Sequence, residues 1–323
     1  MHLFKNLTRL LAAAALCGAA AAHAQYPDKP IRLVVPFPPG AGTDATARLI
    51  ANELSPLLGQ PVIVENRVGA GGSIGAQWVA DAEPDGYTLF FSTTGALVIN
   101  PHLYKHLRYD GVKSFTPIGM VASSANVLVV NPQVPAHSVT ELIQLAKSEP
   151  GKLTYGSSGI GSSSHLAVVM LESLSGTKFT HIPYKGSAPA VTDLVGGRID
   201  LMIDNIPSHV ELVKAGKERA LGVSGTNPSP LFPGLPTIAQ AGVPGYDVTI
   251  WYGILGPAGM PGDVVQKLST LIRQAVTKPG MAEKLQAIGS DPLVQSPTEF
   301  ASYIKSEDQK WARIVLESGA TAD

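Results

Sequence analysis

Two loops rich in glycine and small polar residues follow predicted strands and precede predicted helices. The first reads PFPPGAGTD over residues 36–44, and its candidate ligand-binding residues are Phe37, Pro38, Gly42, Thr43 and Asp44. The second reads GSSGIGSSSH over residues 156–165, with candidates Ser157, Ser158, Gly159, Gly161, Ser162 and His165. Free N–H groups and the helix dipole make a helix N-terminus attractive to anions, and glycine lets a ligand approach the backbone. Each loop therefore predicts a site for a carboxylate or phosphate.

Neither loop contains Lys or Arg, so we expect backbone amides, hydroxyl groups and water to hold the anion. If the loops belong to different domains, they face each other across a cleft and clamp a small anion from both sides. Three residues outside the loops are candidates for reading the far end of such a ligand. They are Asp204, which follows a predicted strand, Thr94 and Trp251.

Two alternative sites use the same loops. Gly40-x-Gly42-x-x-Ala45, with Glu65 about 20 residues further on, fits a dinucleotide-binding fingerprint. Four residues separate the strand from the first glycine, however, whereas that fingerprint turns tightly. A serine hydrolase favours G-x-S-x-G, and the second loop lacks the closing glycine. His165 directly follows Ser164, so their side chains diverge on a helix. We therefore predict no catalytic residue and no cofactor.

Metal and nucleic-acid sites are also disfavoured. His102 and His106 are four residues apart, but the acid of a metal-binding helix is missing and the other histidines are scattered. The 24 Lys and Arg residues balance 25 Asp and Glu without a basic run, which argues against binding to nucleic acid. With 323 residues, 45% of them hydrophobic and 15% charged, the chain is expected to fold into two domains.

Residues 1–24 have the three parts of a secretory signal peptide. Lys5 and Arg9 give a positive start, an apolar stretch covers residues 10–22, and Ala22-His23-Ala24 is a cleavage site. The only cysteine, Cys17, lies within this segment, so the mature chain has no disulfide. No later stretch reaches the ~18 apolar residues of a membrane span. We expect cleavage after Ala24 and a soluble periplasmic product.

Alternating strand and helix patterns follow. Strands are predicted at residues 31–35, 62–64 and 87–92, with helices at 43–58 and 76–82 between them, which favours a parallel sheet covered by helices. A second set covers residues 127–203, and Ser138 with Glu141 forms a capping box at the start of one of its helices. A strand at 249–255 and helices at 263–277 and 298–318 complete the chain.

Many short motifs, in order, resemble one family, the substrate-binding receptors of tripartite tricarboxylate transporters, also called Bug receptors. The strongest are YPDKPIR at 26–32, VVPFPPG at 34–40, GQPV at 59–62, VENR at 64–67, GAGGSIG at 69–75, PDGYTL at 84–89, YGSSG at 155–159 and PYKG at 183–186. The resemblance implies an α/β, type II periplasmic binding protein fold, with two domains joined by two crossing strands around a ligand cleft. We predict domain 1 at residues 25–124 and 251–323, and domain 2 at 125–250.

The resemblance also implies a function. A receptor of this kind closes on a small organic carboxylate through the two loops and delivers it to two integral membrane subunits. We expect a monomer that is not an enzyme and has no metal. Two alternatives remain open: a receptor that reports its ligand to a signalling protein, and an exported α/β enzyme.

Overall fold

The computed structural model describes residues 26–40, 42–318 and 321–322. The predicted signal peptide, with Cys17, lies outside these residues. Ten strands are present in the described part: β1 (Ile31–Val35), β2 (Val62–Asn66), β3 (Thr88–Thr93), β4 (Phe115–Val130), β5 (Thr154–Ser157), β6 (Thr180–Pro183), β7 (Leu201–Asn205), β8 (Arg219–Val223), β9 (Thr249–Pro257) and β10 (Ser290–Gln295).

Ten α-helices in the same residues pack around the strands. They are α1 (Gly42–Leu58), α2 (Ser73–Ala80), α3 (Asn100–Leu103), α4 (Val139–Ser148), α5 (Ser163–Ser175), α6 (Ser187–Val195), α7 (Val210–Lys214), α8 (Gly262–Val276), α9 (Met281–Ala287) and α10 (Pro297–Ser318). Single 3-10 turns occur at Ala70–Gly72 and Ile206–Ser208, and a π-helical turn at Gly95–Ile99.

The long strand β4 connects two halves of the sheet, whose strand order is β2-β1-β3-β9-β4-β7-β5-β6. Its residues 115–125 pair with β9, and residues 126–130 pair with β7 and β8. We call β1, β2, β3, β9, β10 and their helices the first half, and β5 to β8 with α4 to α7 the second half. The predicted domain boundaries stay a prediction.

Strand β1 has apolar side chains on both faces, and this explains why helices cover both sides of the sheet in the first half. Because side chains alternate along a strand, Ile31, Leu33 and Val35 of β1 point to one face, where they pack against α1 and α8. Val34 points to the other face and joins a cluster that continues into the second half. Both faces of β1 are therefore buried, as expected of a strand inside a helix-covered sheet.

Trp251 belongs to this continuous cluster and not to the cleft. It is fully buried, its ring lies edge-on to Phe300 and Tyr303, and its Nε1 donates a hydrogen bond to Glu307 at 3.4 Å. Trp251 is therefore a core residue rather than a ligand-reading one, because β9 directs this side chain towards α10.

Two predictions of local structure, the capping box and the parallel sheet, can be compared with the structure. The serine half of the capping box is confirmed, because the Ser138 hydroxyl accepts the Glu141 N–H at 3.1 Å. The glutamate half differs: the Glu141 carboxylate accepts the N–H of His137, the residue before the cap, at 2.6 Å. The parallel arrangement predicted for the first three strands is confirmed for β1, β2 and β3, and the structure adds β9, which runs antiparallel to β3 and β4. The sheet is mixed.

Candidate functional site

A cavity of about 580 Å³ lies between the two halves of the sheet. Parallel strands of each half end at this cleft, so the loops that follow them line its walls. The lining residues are Phe37–Gly40, Gly42, Thr43, Thr93, Ser158, Ser163, Lys185–Pro189, Val191, Asp204, Asn205, Ser208, Ile250 and Tyr252.

The first predicted loop contributes Phe37, Pro38, Gly42 and Thr43 to the cleft wall. Helix α1 begins at Gly42, which lies so close to β7 that a Cβ atom here would sit 3.3 Å from Oδ1 of Asn205. The missing side chain lets the helix N-terminus approach the opposite half. Gly42 and Thr43, the first two residues of α1, line the cavity, and a helix N-terminus in this place suits an anion.

Asp44 is not on the cleft surface, although the sequence made it a candidate. Its side chain is buried; Oδ2 accepts hydrogen bonds from the Gly40 N–H and Arg48 Nε, both at 2.9 Å, and Oδ1 accepts one from Asn66 Nδ2 at 2.8 Å. The same Asn66 amide donates to the Phe37 carbonyl at 2.9 Å. Asp44 therefore holds the loop from behind.

The environment of Asp44 favours its charged form. Burial opposes ionisation, but the hydrogen bonds from Arg48, Gly40 and Asn66 and the charge of Arg48 hold the pKa of Asp44 below its usual value. The carboxylate also sits in the first turn of α1, where the helix dipole stabilises negative charge.

The second predicted loop contributes Ser158, together with Ser163 at the start of α5. The other candidates of this loop form its internal hydrogen bonds and do not line the cavity. Ser162 caps α5 by accepting the His165 N–H at 3.4 Å, and its hydroxyl donates to the Gly159 carbonyl at 2.6 Å. His165 Nδ1 accepts the Gly161 N–H at 3.2 Å.

Ser157 is fully buried, and its hydroxyl lies 2.6 Å from Nε2 of His181. His181 stacks on His165 with ring centroids 4.3 Å apart. Burial lowers the pKa of both imidazoles, to about 4 for His181 and about 3 for His165, where the neighbouring His181 adds to the effect. Such a Ser–His contact beneath the loop does not reach the cleft, so it supports the loop and does not present a nucleophile.

A third loop, residues 185–189 between β6 and α6, also lines the cleft, and the sequence interpretation overlooked it. It has the same character as the other two: it follows a strand, contains Gly186 and precedes a helix. It also brings Lys185, an exposed cation, to the cavity. The two predicted loops contain no cation, but the cleft as a whole has Lys185 in its lining.

The floor of the cleft comes from β3, β7 and β9. Thr93 lines it, whereas Thr94 is buried one residue further on and its hydroxyl accepts the Trp251 N–H at 3.1 Å. Asp204 and Tyr252 also line it. Burial, and to a smaller extent the charge of Asp204, raise the pKa of Tyr252 to about 12, although hydrogen bonding to Thr43 and Ser124 opposes the rise.

The residues of the alternative dinucleotide and metal sites make other contacts in the structure. Glu65, the candidate ribose-binding acid, lies 3.2 Å from Arg32 and 2.6 Å from Arg67 in ion pairs. His102 bonds to Asp308 at 2.8 Å and does not pair with His106. Among the described residues there is no cluster of three metal-ligating side chains, nor a helix long and apolar enough to cross a membrane.

Two α/β halves around a cleft, with the first residues of helices from both halves in its lining, are the arrangement of a solute-binding protein. Its sequence assigns it further: it matches the tripartite tricarboxylate transporter family receptor over residues 46–320, and the chain belongs to this family. Receptors of this family are periplasmic and bind substrates for transport; they are not enzymes. The predicted family and the predicted fold class are confirmed.

Three relatives illustrate the similarity. Protein BugT of Bordetella pertussis is 37% identical over 322 residues, which cover 98% of this chain and 99% of BugT. The structure of R. palustris Rpa4515 with adipate is 38% identical with a TM-score of 0.85, over 92% of this chain and 99% of that one. MatC from Rhodopseudomonas palustris with bound malate is 32% identical with a TM-score of 0.81, over 90% and 100%.

Proposed function

We propose that this chain captures a small organic carboxylate in the cleft and delivers it to the two membrane subunits of a tripartite tricarboxylate transporter. One observation carries the proposal: the N-termini of α1, α5 and α6 meet at one cavity, with Lys185 beside them. Partial positive charges and one full charge then converge on the bound anion. The bound adipate and malate of two similar proteins support a carboxylate in particular.

In this proposal, Thr43 and Ser158 hold the carboxylate from opposite halves. Their hydroxyl groups and the adjoining backbone amides donate hydrogen bonds, while Lys185 neutralises the charge. A ligand that touches both halves has a higher affinity for the closed arrangement and shifts the population towards it. Closure between residues 125–250 and the rest of the chain then gives the membrane subunits a surface that the free receptor lacks.

The same proposal includes the route to the periplasm. Residues 1–24 act as a signal peptide that is cleaved after Ala24, and the mature receptor starts at Gln25. Mass spectrometry of protein recovered from the periplasm tests this step, because cleavage at another position gives a different N-terminal peptide.

Calorimetric titration of the mature chain with malate and with adipate tests carboxylate binding. At a free ligand concentration 100 times the Kd, binding adds about 2.7 kcal/mol to the free energy of unfolding, so a thermal melt reports it as well. Replacing both Thr43 and Ser158 by Ala, or Lys185 by Gln, is expected to weaken binding at least about tenfold, because each change removes hydrogen bonds or charge at the anion.

A matched control is Lys152→Gln. Lys152 is exposed, pairs with Glu149 at 2.7 Å and lies outside the cleft lining, so its replacement is expected to leave the Kd unchanged. Equal affinity of the wild type and of both cleft variants would contradict the proposed site. Uptake of radiolabelled ligand into vesicles with both membrane subunits, with and without the receptor, tests delivery; uptake that does not depend on the receptor would refute it.

A further inference from the structure

Most of the surface that lines the cleft is apolar. The residues that provide it come from both halves: Phe37, Pro38 and Pro39 from the first loop, Pro189 and Val191 from α6, and Ile250 from β9. Three of these six residues are prolines, which have no backbone N–H group. They therefore cannot donate a backbone hydrogen bond to a polar ligand, and they offer it carbon surface instead.

The apolar lining is continuous with the hydrophobic cores of the two halves. Ile250 and Tyr252 are 5% and 4% exposed and belong to a core cluster of the first half, in which the Tyr252 ring stacks on Phe91 with centroids 5.7 Å apart. Val191 is half-buried and packs against a core cluster of the second half. Each core therefore reaches the cavity, and its packing holds the apolar wall in place.

Charge and size also limit the ligand. Lys185 is the only cation among the described residues that line the cleft, and in the proposed function it lies at the carboxylate. The cavity volume of about 580 Å³ is typical of sites that enclose drug-sized ligands. Malate would fill less than half of it even if each of its carbon and oxygen atoms took the ~30 Å³ of one water molecule in the liquid. The rest of the space lies between apolar walls.

We propose that the natural ligand has a large apolar body, so that it is an aliphatic or aromatic acid and not a compact polar acid such as malate or citrate. The inference rests on the proposed function, which places the carboxylate at the three helix N-termini. The body of the ligand then lies against Phe37, Val191 and Ile250, and its burial removes apolar surface of both partners from water. A polar acid gains nothing at these walls, and any polar group that it buries there without a partner weakens binding.

A series of unbranched acids tests this inference in the wild-type protein. Calorimetric titrations compare propionate, butyrate, pentanoate and hexanoate, which carry the same carboxylate and differ only in methylene groups. A fully buried methylene group lowers the Kd about fourfold, so hexanoate is expected to bind at least about tenfold more tightly than propionate, and more tightly than malate or citrate. The heat capacity change of binding is expected to become more negative along the series. Benzoate, compared with hexanoate, distinguishes a ring from a chain.

The variant Val191→Thr keeps the shape of the side chain and places a hydroxyl group in the apolar wall. It is expected to reduce the ratio of the propionate Kd to the hexanoate Kd at least about twofold, because the hydroxyl makes burial of the chain less favourable. Val68→Thr is the matched control: Val68 is 48% exposed and lies outside the cleft lining, so the wild-type ratio is expected. Circular dichroism and thermal melts verify that both variants are folded; if Val191→Thr does not fold, the wild-type series decides.

The two proposals fail differently in this experiment. Acids that bind with the same Kd from propionate to hexanoate, or tighter binding of malate or citrate than of hexanoate, would overturn the apolar body and leave the proposed function intact. A folded Val191→Thr variant with the wild-type ratio would do the same. If none of the acids, malate and adipate included, binds the wild type, the proposed function itself is contradicted and this inference falls with it.

Discussion

Replacing Asp44 by Ala tests whether the first loop is held from behind. The change removes three hydrogen bonds, from the Gly40 N–H, Arg48 Nε and Asn66 Nδ2, and leaves the Asn66 amide with its bond to the Phe37 carbonyl. The Arg48 side chain is 47% exposed, so its share is small. With about 1 kcal/mol for each of the other two, we expect a loss of about 2–3 kcal/mol in the free energy of unfolding.

Urea titration and a thermal melt measure this loss. For a chain of this size, ~2 °C per kcal/mol predicts a fall in Tm of about 5 °C. Malate and adipate are expected to bind the Asp44→Ala variant about tenfold more weakly than the wild type. In the variant, part of the binding free energy is used to order the first loop. Asp81→Ala, at an exposed acid bonded to Gln77, is the control. A variant with wild-type stability and wild-type Kd would refute the idea that Asp44 positions the loop.

The lowered pKa of Asp44 also predicts how the stability of the protein changes at acidic pH. Because the pKa of Asp44 is lowered in the folded protein, its stabilising contribution is complete above the ordinary aspartate pKa of about 3.9 and is lost as the pH falls through the folded value. The stability difference between wild type and Asp44→Ala is therefore expected to shrink below pH 4. If the stability difference between the two proteins stays constant as the pH falls to the pKa of Asp44 in the folded state, this prediction is contradicted.

Three further predictions concern the frame of the cleft. Gly161 has a φ of 78° and lies against Asn100 of the first half, so Gly161→Ala is expected to cost at least about 1 kcal/mol in urea titrations; an unchanged midpoint would contradict this. Nδ1 of the buried His209 lies 2.7 Å from a Glu218 carboxylate oxygen. Burial opposes the charged imidazole, but hydrogen bonding and charge interaction with Asp204 and Glu218 raise the pKa of His209 to about 9 in the folded protein. The charged His209 therefore adds its full contribution to the free energy of unfolding below pH 6.5, and this contribution is lost as the pH rises through 9. The destabilisation by Glu218→Gln should therefore decrease over that range, and a constant value would disprove the charged pairing. Ser138→Ala removes the cap of α4 and is expected to cost about 1 kcal/mol, whereas Ser138→Asp, another capping residue, should restore most of it.

The two predicted loops were visible in the sequence because their signature is local. A strand, a glycine-rich turn and a helix start follow each other within a few residues, and the polarity of a helix N-terminus does not depend on the rest of the fold. The third loop has the same signature around Gly186. It was overlooked because only the place of β6 in the sheet brings Lys185 to the same cavity.

Which side of a loop faces the ligand was not predictable. Asp44, Ser157, Ser162 and His165 were candidates because they are polar and close to a helix N-terminus. Such residues also cap helices and bind loop backbones, and the structure uses these four for that purpose. Thr93 and Thr94 differ by one residue, and only tertiary packing decides which of them reaches the cleft.

Strand β10 was not predicted, for a related reason. Strand β10 reads SDPLVQ, with a proline, a charge and no alternation, and it forms because the first part of β4 offers an edge for pairing. Strand β4 begins at Phe115, whereas the second predicted set of strands and helices starts only at residue 127. Its earlier part contains Pro117, Gly119 and two irregularities in register, which hide the strand period.

The central claim is that a carboxylate binds where three helix N-termini meet. A crystal structure of the mature protein with malate or adipate tests it most directly. The account predicts one carboxylate group within hydrogen-bond distance of Thr43 and Ser158, with the Lys185 ammonium group beside it. A ligand whose carboxylates contact neither loop, or one bound outside this cavity, would contradict the account.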